Sequence, residues 1–500
     1  MTTVSDHTSA EPPTPSGPVT SAGSGDGFRW EAALLAAVGL YLLVYALLNQ
    51  FRWDEFEHVH AAWRVANGRI PYLDFFENHH PLIWYVMAAL LPLAGESSGT
   101  VLVFRVGFAV LAFATLAVTW RLALRATQSR RVAWLAALFL ASTMSFLETS
   151  TIIRPDTPMM LCVVLSVLFL VRATGGGRRA DAVASGVAAG VAIAFLQKAI
   201  LLLAALVVLA AVRRFRPGRA LSGAVAGWFG VGLGATLVAG AGYLAATGAW
   251  RDYFWSNWHF NALMAVDLPR FPSKGFSVLA NLPFWCLVLG GAGALLRRRR
   301  ADDAMTMVAV IGCTILAALA LTRGLGLYYL LQMLPLLAVV AAWALHTGAE
   351  RLAIAPRRRR VVVLFVVLLP VVGHAVSMKA TNGSQRAAID YVLARTAPDE
   401  PLHDPGLQFN LFRPNLHYLS PLGTDYRLLE AWFRLAGGAR AAGYDVCDVL
   451  RAGRPRFTSD NHGQLASCDL AGAYRKTPFE GLYERAVPPD QEARLAASGR

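Results

Sequence analysis

The chain has 500 residues, 55% of them hydrophobic and 16% charged, with a mean hydropathy of +0.45. That leaves too little polar surface for a soluble protein of this length, and the apolar residues fall in blocks of roughly 17 to 25, long enough to cross a bilayer. The net charge of +14 does not point to nucleic acid, because the basic residues cluster between apolar runs, where they act as topology signals.

In chain order, residues 1–30 are rich in Ser, Thr, Pro and Gly before the first apolar run. They are expected to form a disordered cytoplasmic tail rather than a signal peptide. Apolar spans are then predicted to begin near Glu31, Val101, Val132, Thr157, Ala182, Ile200, Ala220, Phe276, Ala304, Leu325 and Val361. The pair from Ala182 to Arg213 turns at Gln197-Lys198, and its halves are short. Basic clusters lie at Arg121–Arg131, Arg172–Arg179, Arg213–Arg219, Arg297–Arg300 and Arg357–Arg360, and the positive-inside rule assigns each to the cytoplasm. The stretch Pro81–Gly95, PLIWYVMAALLPLAG, is apolar but short. If it crossed, the basic clusters would move outside together; read as a non-crossing interfacial helix, it leaves all five inside. The expectation is an all-α polytopic membrane protein of about 11 transmembrane helices plus interfacial helices. Its N-terminus is cytoplasmic and its C-terminus extracytoplasmic. Residues 31–378 form the membrane part, and residues 379–500 a small extracytoplasmic α/β domain in which Cys447 and Cys468 could pair.

On this scheme the outer face carries the loop Arg52–His80, the turn Glu148–Asp156 (ETSTIIRPD), the segment Ala249–Gly275 and the Lys198 turn. The first loop opens FRWDEFEHVHAAW, with Asp54, Glu55, Glu57, His58 and His60 interleaved with Trp53, Phe56, Val59 and Trp63. An amphipathic helix there lies in the interface and puts Asp54 and His58 on one face. Glu57, and to a lesser degree Glu55, also read as ordinary solvated boundary residues. Asp156 begins a span, where it reads as a helix-start residue or as a second carboxylate facing Asp54. Two carboxylates converging on one cavity suit acid/base chemistry. Arg154 is placed to pair with Asp156 or to bind an anion. Lys198, one of four lysines, is either a snorkelling side chain or a cation for a phosphate. Arg323, Tyr328 and Tyr329 form a similar outward group, although interfacial tyrosines are often only belt residues. His58, His79 and His80 are weak candidates for a divalent metal, since no spacing matches a strong ligand motif. The glycines of GWFGVGLGATLVAG read as close helix packing within a span.

These pieces resemble the GT-C glycosyltransferases, closest to the family-39, protein-mannosyltransferase-like branch with its bacterial aminoarabinose-transferase relatives. The likeness runs over roughly residues 31 to 345. WDEFEHVHAAWRVANGRIPYLDFFENHHPLIWYV is similar to the first-loop pattern, IIRPDTPMMLCVVLSVLFL to the second acidic motif, AFLQKAILLL to the lysine hairpin and YYLLQMLPLLAVV to the late Tyr/Pro span. His79-His80 stand where many members have Lys-Pro. The resemblance implies a bacterial plasma-membrane enzyme that moves a sugar from a polyprenyl-phosphate carrier to an extracytoplasmic acceptor: a glycan, lipid or protein of the envelope. It implies Asp54 as general base, Asp156 assisting or orienting the acceptor, and Glu55 holding the loop or sharing the site. Lys198, Arg154 and Arg323, with Tyr328 and Tyr329, would receive the donor phosphate. The competing reading is a transporter or flippase with the acids as a proton relay, but relays sit near the bilayer midplane, and these acids gather at one face.

Overall fold

The computed structural model describes residues 29–214, 222–262, 279–297, 303–321, 327–378, 380–405, 409–419, 445–460 and 463–486. The membrane part begins with α1 (Arg29–Leu48), followed by α2 (Trp53–Ala66), α3 (Leu82–Ala94), α4 (Gly99–Thr127), α5 (Arg130–Ser142), α6 (Met144–Thr149), α7 (Asp156–Thr174), α8 (Arg179–Phe195), α9 (Ile200–Arg214), α10 (Gly223–Thr247) and α11 (Trp250–Phe254). Helices Leu282–Arg297, Asp303–Ala320, Leu334–Arg351 and Pro356–Ser377 complete it. A helix therefore stands at every predicted span, although the onset expected near Phe276 lies outside the described residues.

Among the described residues, five helices are long and apolar enough to cross a membrane: Trp30–Leu48, Gly99–Thr127, Asp156–Thr174, Gly223–Thr247 and Pro356–Ser377. Several others are shorter than their apolar runs suggest. α5 has 13 residues, about 20 Å at 1.5 Å per residue, because Thr143 turns into an extended conformation and starts the separate α6. α3 also has 13 residues, with Pro92 inside, and is short of the roughly 30 Å hydrocarbon core.

The interior is a single apolar layer built around α5, α7 and Leu334–Arg351, whose faces are almost wholly buried. α8 lies between α7 and α10, and glycines set its approach to α10. A Cβ on Gly186 would stand 2.0 Å from the Phe229 carbonyl oxygen, and one on Gly232 would stand 2.2 Å from that of Val183. Only bare backbone fits there, the close packing that small residues permit between membrane helices. At one end of the bundle Glu31 is fully buried and meets Arg131 at 3.6 Å, and Arg359 and Arg360 are close enough to act on it. Two of the five arginine clusters thus share one end.

The C-terminal part carries helices Gly383–Leu393 and Val446–Gly453 and an antiparallel sheet of β1 (Phe457–Ser459), β2 (Tyr474–Lys476) and β3 (Leu482–Arg485) in the order β1-β3-β2. Cys447 and Cys468 are disulfide-bonded, with their Cα atoms 5.0 Å apart. Among its described residues this part has a small core of its own, Val446, Leu450 and Cys468. Ile389, Val392, Leu402, Phe412, Phe457 and Leu482 share a buried cluster with Phe56, Val59, Trp84 and Phe104 of the membrane part. The C-terminal segment is thereby packed onto the first loop.

Candidate active site

Two neighbouring acids of α2 are sent in different directions. Glu55 is fully buried. Its Oε1 accepts from Arg105 Nε at 2.7 Å and from the Ile153 amide at 3.2 Å; its Oε2 accepts from Arg105 Nη2 at 2.5 Å and from the Arg52 amide at 2.9 Å. Arg105, inside α4, also donates to the carbonyls of Ala46, Asn49 and Gln50, which close the end of α1. Glu55 therefore holds the loop in place and has no free oxygen to share with a substrate.

Asp54 points the other way, to Arg154 of the second outer turn, and the two form a direct ion pair. Arg154 Nε also meets Asp156 Oδ2 at 3.1 Å, so one guanidinium bridges the two carboxylates. The turn is shaped for this: Thr157 donates to the Ser150 carbonyl at 3.0 Å, Pro155 precedes the helix, and Asp156 opens α7, where a helix N-terminus favours an anion. A second link ties the same segments, Arg52 to Glu148 at 2.9 Å.

Tyr328 and Tyr329 carry two cations on their rings. Arg154 lies over the Tyr328 ring at 4.0 Å, and Lys198 Nζ over the Tyr329 ring at 3.4 Å. Both contacts are cation–π geometry. Lys198 sits in the tight turn Gln197–Ala199 between α8 and α9, and among the described residues it has no carboxylate within ion-pair distance. Burial and, secondarily, the charge of Arg154 push its pKa down to about 7, against the pull of Asp156. Its charge therefore changes near neutral pH. Arg323 lies outside the described residues.

Beside this group is a second titratable cluster. His79 Nδ1 lies 3.4 Å from Glu57 Oε1 and 3.8 Å from Glu77 Oε2. Burial would raise the Glu57 carboxyl, but the His79 hydrogen bond and charge outweigh it and bring it down to about 2. Burial likewise opposes the His79 cation, but both glutamates raise its pKa to about 9. Glu77 is pushed well above the carboxylate range by burial and by the Glu57 charge. The reading of Glu57 as a solvated boundary residue is thus overturned.

Glu57, His58 and His79 could offer one ligand atom each within 4.8 Å of one another, yet they do not fit a metal. Trp84 Nε1 donates to His58 Nδ1 at 3.2 Å, and burial, with the His79 charge, holds the His58 pKa down to about 4. The neutral ring then keeps its proton on Nε2 and has no free lone pair. His80, the third expected candidate, stands apart: Nδ1 is 2.6 Å from the Ile193 carbonyl oxygen and Nε2 is 3.0 Å from the Tyr253 hydroxyl. It joins the first loop to the Lys198 hairpin and to the third outer segment, as Asn261 does by donating to the Asn78 carbonyl at 2.7 Å.

The structure therefore brings together Asp54, Arg154, Asp156, Lys198, Tyr328 and Tyr329, and leaves Glu55 and His80 in supporting positions. Sequence reasoning missed Arg105 and Trp84. Arg105 had a signal, as a lone charge inside an apolar run; Trp84 had none beyond its place in an interfacial helix.

Residues 78–240 match a protein family described as dolichyl-phosphate-mannose-protein mannosyltransferase. No curated protein matches by sequence. Among solved structures, ArnT from Cupriavidus metallidurans bound to undecaprenyl phosphate superposes with a TM-score of 0.68 at 15% identity, covering 91% of this chain and 97% of that one. The Archaeoglobus fulgidus oligosaccharyltransferase tethered with an acceptor peptide reaches 0.55 at 12% identity, covering 93% and 75%. The oligosaccharyltransferase AglB from Archaeoglobus fulgidus, in complex with an inhibitory peptide and a dolichol-phosphate, reaches 0.55 at 13%, covering 92% and 75%. With this overlap along nearly its whole length, the chain has the GT-C glycosyltransferase fold.

Proposed function

We propose that the protein is a membrane glycosyltransferase that moves a sugar from a polyprenyl-phosphate carrier to an acceptor outside the cytoplasm. The observation that carries the reading is the grouping of two carboxylates, Asp54 and Asp156, with two cations, Arg154 and Lys198, each seated on a tyrosine ring. Supporting it are the fold shared with a protein that binds undecaprenyl phosphate and the family match over residues 78–240.

In the reaction an acceptor hydroxyl attacks the anomeric carbon of the donor. The bond from that carbon to the phosphate oxygen breaks, and polyprenyl phosphate leaves with the bonding pair. Asp54 takes the acceptor proton. Its side chain keeps some exposure, 14%, and faces the Arg154 guanidinium. Lys198 and Arg154 stabilise the departing phosphate by charge placed in advance, and Tyr328 and Tyr329 hold them in position. Asp156 has one oxygen committed to Arg154 and one left for substrate. Glu55, through Arg105, fixes the helix that presents Asp54.

In this reading the chain crosses a bacterial plasma membrane about eleven times. Its N-terminus is cytoplasmic, and the site, with residues 379–500, lies on the outer face. The test is transfer from a lipid-linked sugar by membranes carrying Asp54→Asn. A loss of roughly 10²- to 10⁴-fold is expected for a missing general base; near-normal turnover would remove Asp54 from that role. Movement of labelled lipid across vesicles without glycosyl transfer would favour a transporter instead.

A further inference from the structure

Two polar atoms from different elements stand unmatched in the buried wall of the site. Asp156 Oδ2 is held by Arg154, while Oδ1, on a residue 1% exposed, meets no donor among the described residues. His58 Nδ1 accepts from the Trp84 indole, which can only donate. The proton of the neutral ring is therefore on Nε2, and that N–H, on a fully buried residue, has no acceptor among the described residues.

These atoms belong to neighbouring residues. His58 lies one helical turn from Asp54 on the same face of α2. Arg154 ties Asp54 to Asp156, and the Asp156 charge is among those acting on the His58 ring, with His79 and Glu57. A fixed neutral donor beside an anionic acceptor calls for a group that gives one proton and receives another. A hydroxyl does both. A phosphate oxygen has no proton to give Asp156 and would be repelled by it, and a cation would be repelled by the N–H. The phosphate is drawn instead to Arg154 and Lys198, and the group bonded to that phosphate is the donor sugar.

We propose that Asp156 Oδ1 and His58 Nε2–H together hold one hydroxyl of the sugar carried by the lipid donor, making His58 a specificity residue for the glycosyl group. This rests on the glycosyl-transfer reading and names a subsite within it. The side chain at position 58 then senses whether the lipid carries a sugar, while the phosphate cations do not.

The test compares binding of undecaprenyl phosphate with that of undecaprenyl-phosphoryl-mannose, -glucose and -arabinose by the purified full-length protein in detergent. The wild type should bind at least one sugar-bearing lipid more tightly than the bare phosphate. His58→Phe should weaken that lipid roughly 3- to 10-fold, the worth of one hydrogen bond, and leave undecaprenyl phosphate unchanged. His58→Gln, which keeps an N–H donor, should recover part of the loss and shows that the protein folds without the imidazole. A His58→Phe protein that keeps the full preference for the sugar lipid, or loses affinity for both lipids equally, overturns the subsite while leaving glycosyl transfer standing. A wild type that binds none of the four lipids overturns both.

Discussion

Replacing Arg105 with Met keeps most of the side-chain length in α4 and removes the charge. Five hydrogen bonds disappear, two to Glu55 at 2.7 and 2.5 Å and three to the carbonyls of Ala46, Asn49 and Gln50 at 2.7 to 2.9 Å. Glu55 is left fully buried with only the Arg52 and Ile153 amides. Breaking a buried pair from one side costs about 3–5 kcal/mol, and each carbonyl stripped of its donor adds about 1 kcal/mol. The sum is of the same order as the whole stability of a typical fold, about 5–15 kcal/mol. Arg105→Met should therefore accumulate poorly, and any protein recovered should melt well below wild type by tryptophan fluorescence in detergent. The double variant Glu55→Leu/Arg105→Met removes both charges and should be less damaged than the sum of the single changes, because contacting partners couple by about 0.5–3 kcal/mol. An Arg105→Met protein with wild-type melting and expression would refute the assignment of this pair as the anchor of the first loop.

Other expectations follow from the same contacts. Donor-lipid affinity should fall as pH rises through about 7, where Lys198 loses its charge among Asp156, Arg154, Tyr328 and Tyr329. Lys198→Arg, charged throughout, should flatten that dependence in a binding titration. His79 is raised from 6.5 to about 9 in the fold, so its contribution, facing Glu57, Glu77 and His58, is complete below about pH 6.5 and lost as pH rises through 9. That is worth up to about 3 kcal/mol, reduced because the side chain is 20% exposed, and His79→Asn should remove the alkaline slope of the melting temperature. Gly232→Leu should loosen α10 from α8 and cost about 1–3 kcal/mol by overpacking. Gly234→Leu, with nothing within 4 Å of its Cβ position, should be neutral in the same melting assay.

The fold was legible wherever the signal was additive along the chain. Apolar runs located a helix at each expected span, and two of the five arginine clusters meet at one end of the bundle. Run length misjudged the helices because hydropathy does not register a backbone break. Thr143 is extended between α5 and α6, and Ser142-Thr143-Met144-Ser145 around it carry no charge to mark the break. The C-terminal part reads as a small domain from its turns and its strands of three or four residues. Some of its apolar side chains also share a cluster with Phe56 and Val59, a contact that only tertiary packing reveals.

Within the site, neighbouring acids of α2 take different partners, for a geometric reason. Consecutive residues of an α-helix differ by about 100° in direction, so Asp54 and Glu55 cannot serve one pocket. Asp54 reaches Arg154 across the loop, and Glu55 reaches Arg105 inside the bundle. Which acid points where depends on the rotation of α2 about its axis, and that rotation is set by Phe56 and Val59, both fully buried against α3, α4 and the C-terminal segment. The placement of Asp54 is thus conditional on packing two and five residues away. The same rotation carries His58 inward with Asp54 and turns Glu57 onto His79. The three acids of this stretch end in three settings: Asp54 part-exposed against Arg154, Glu55 buried on Arg105 and Glu57 buried on His79.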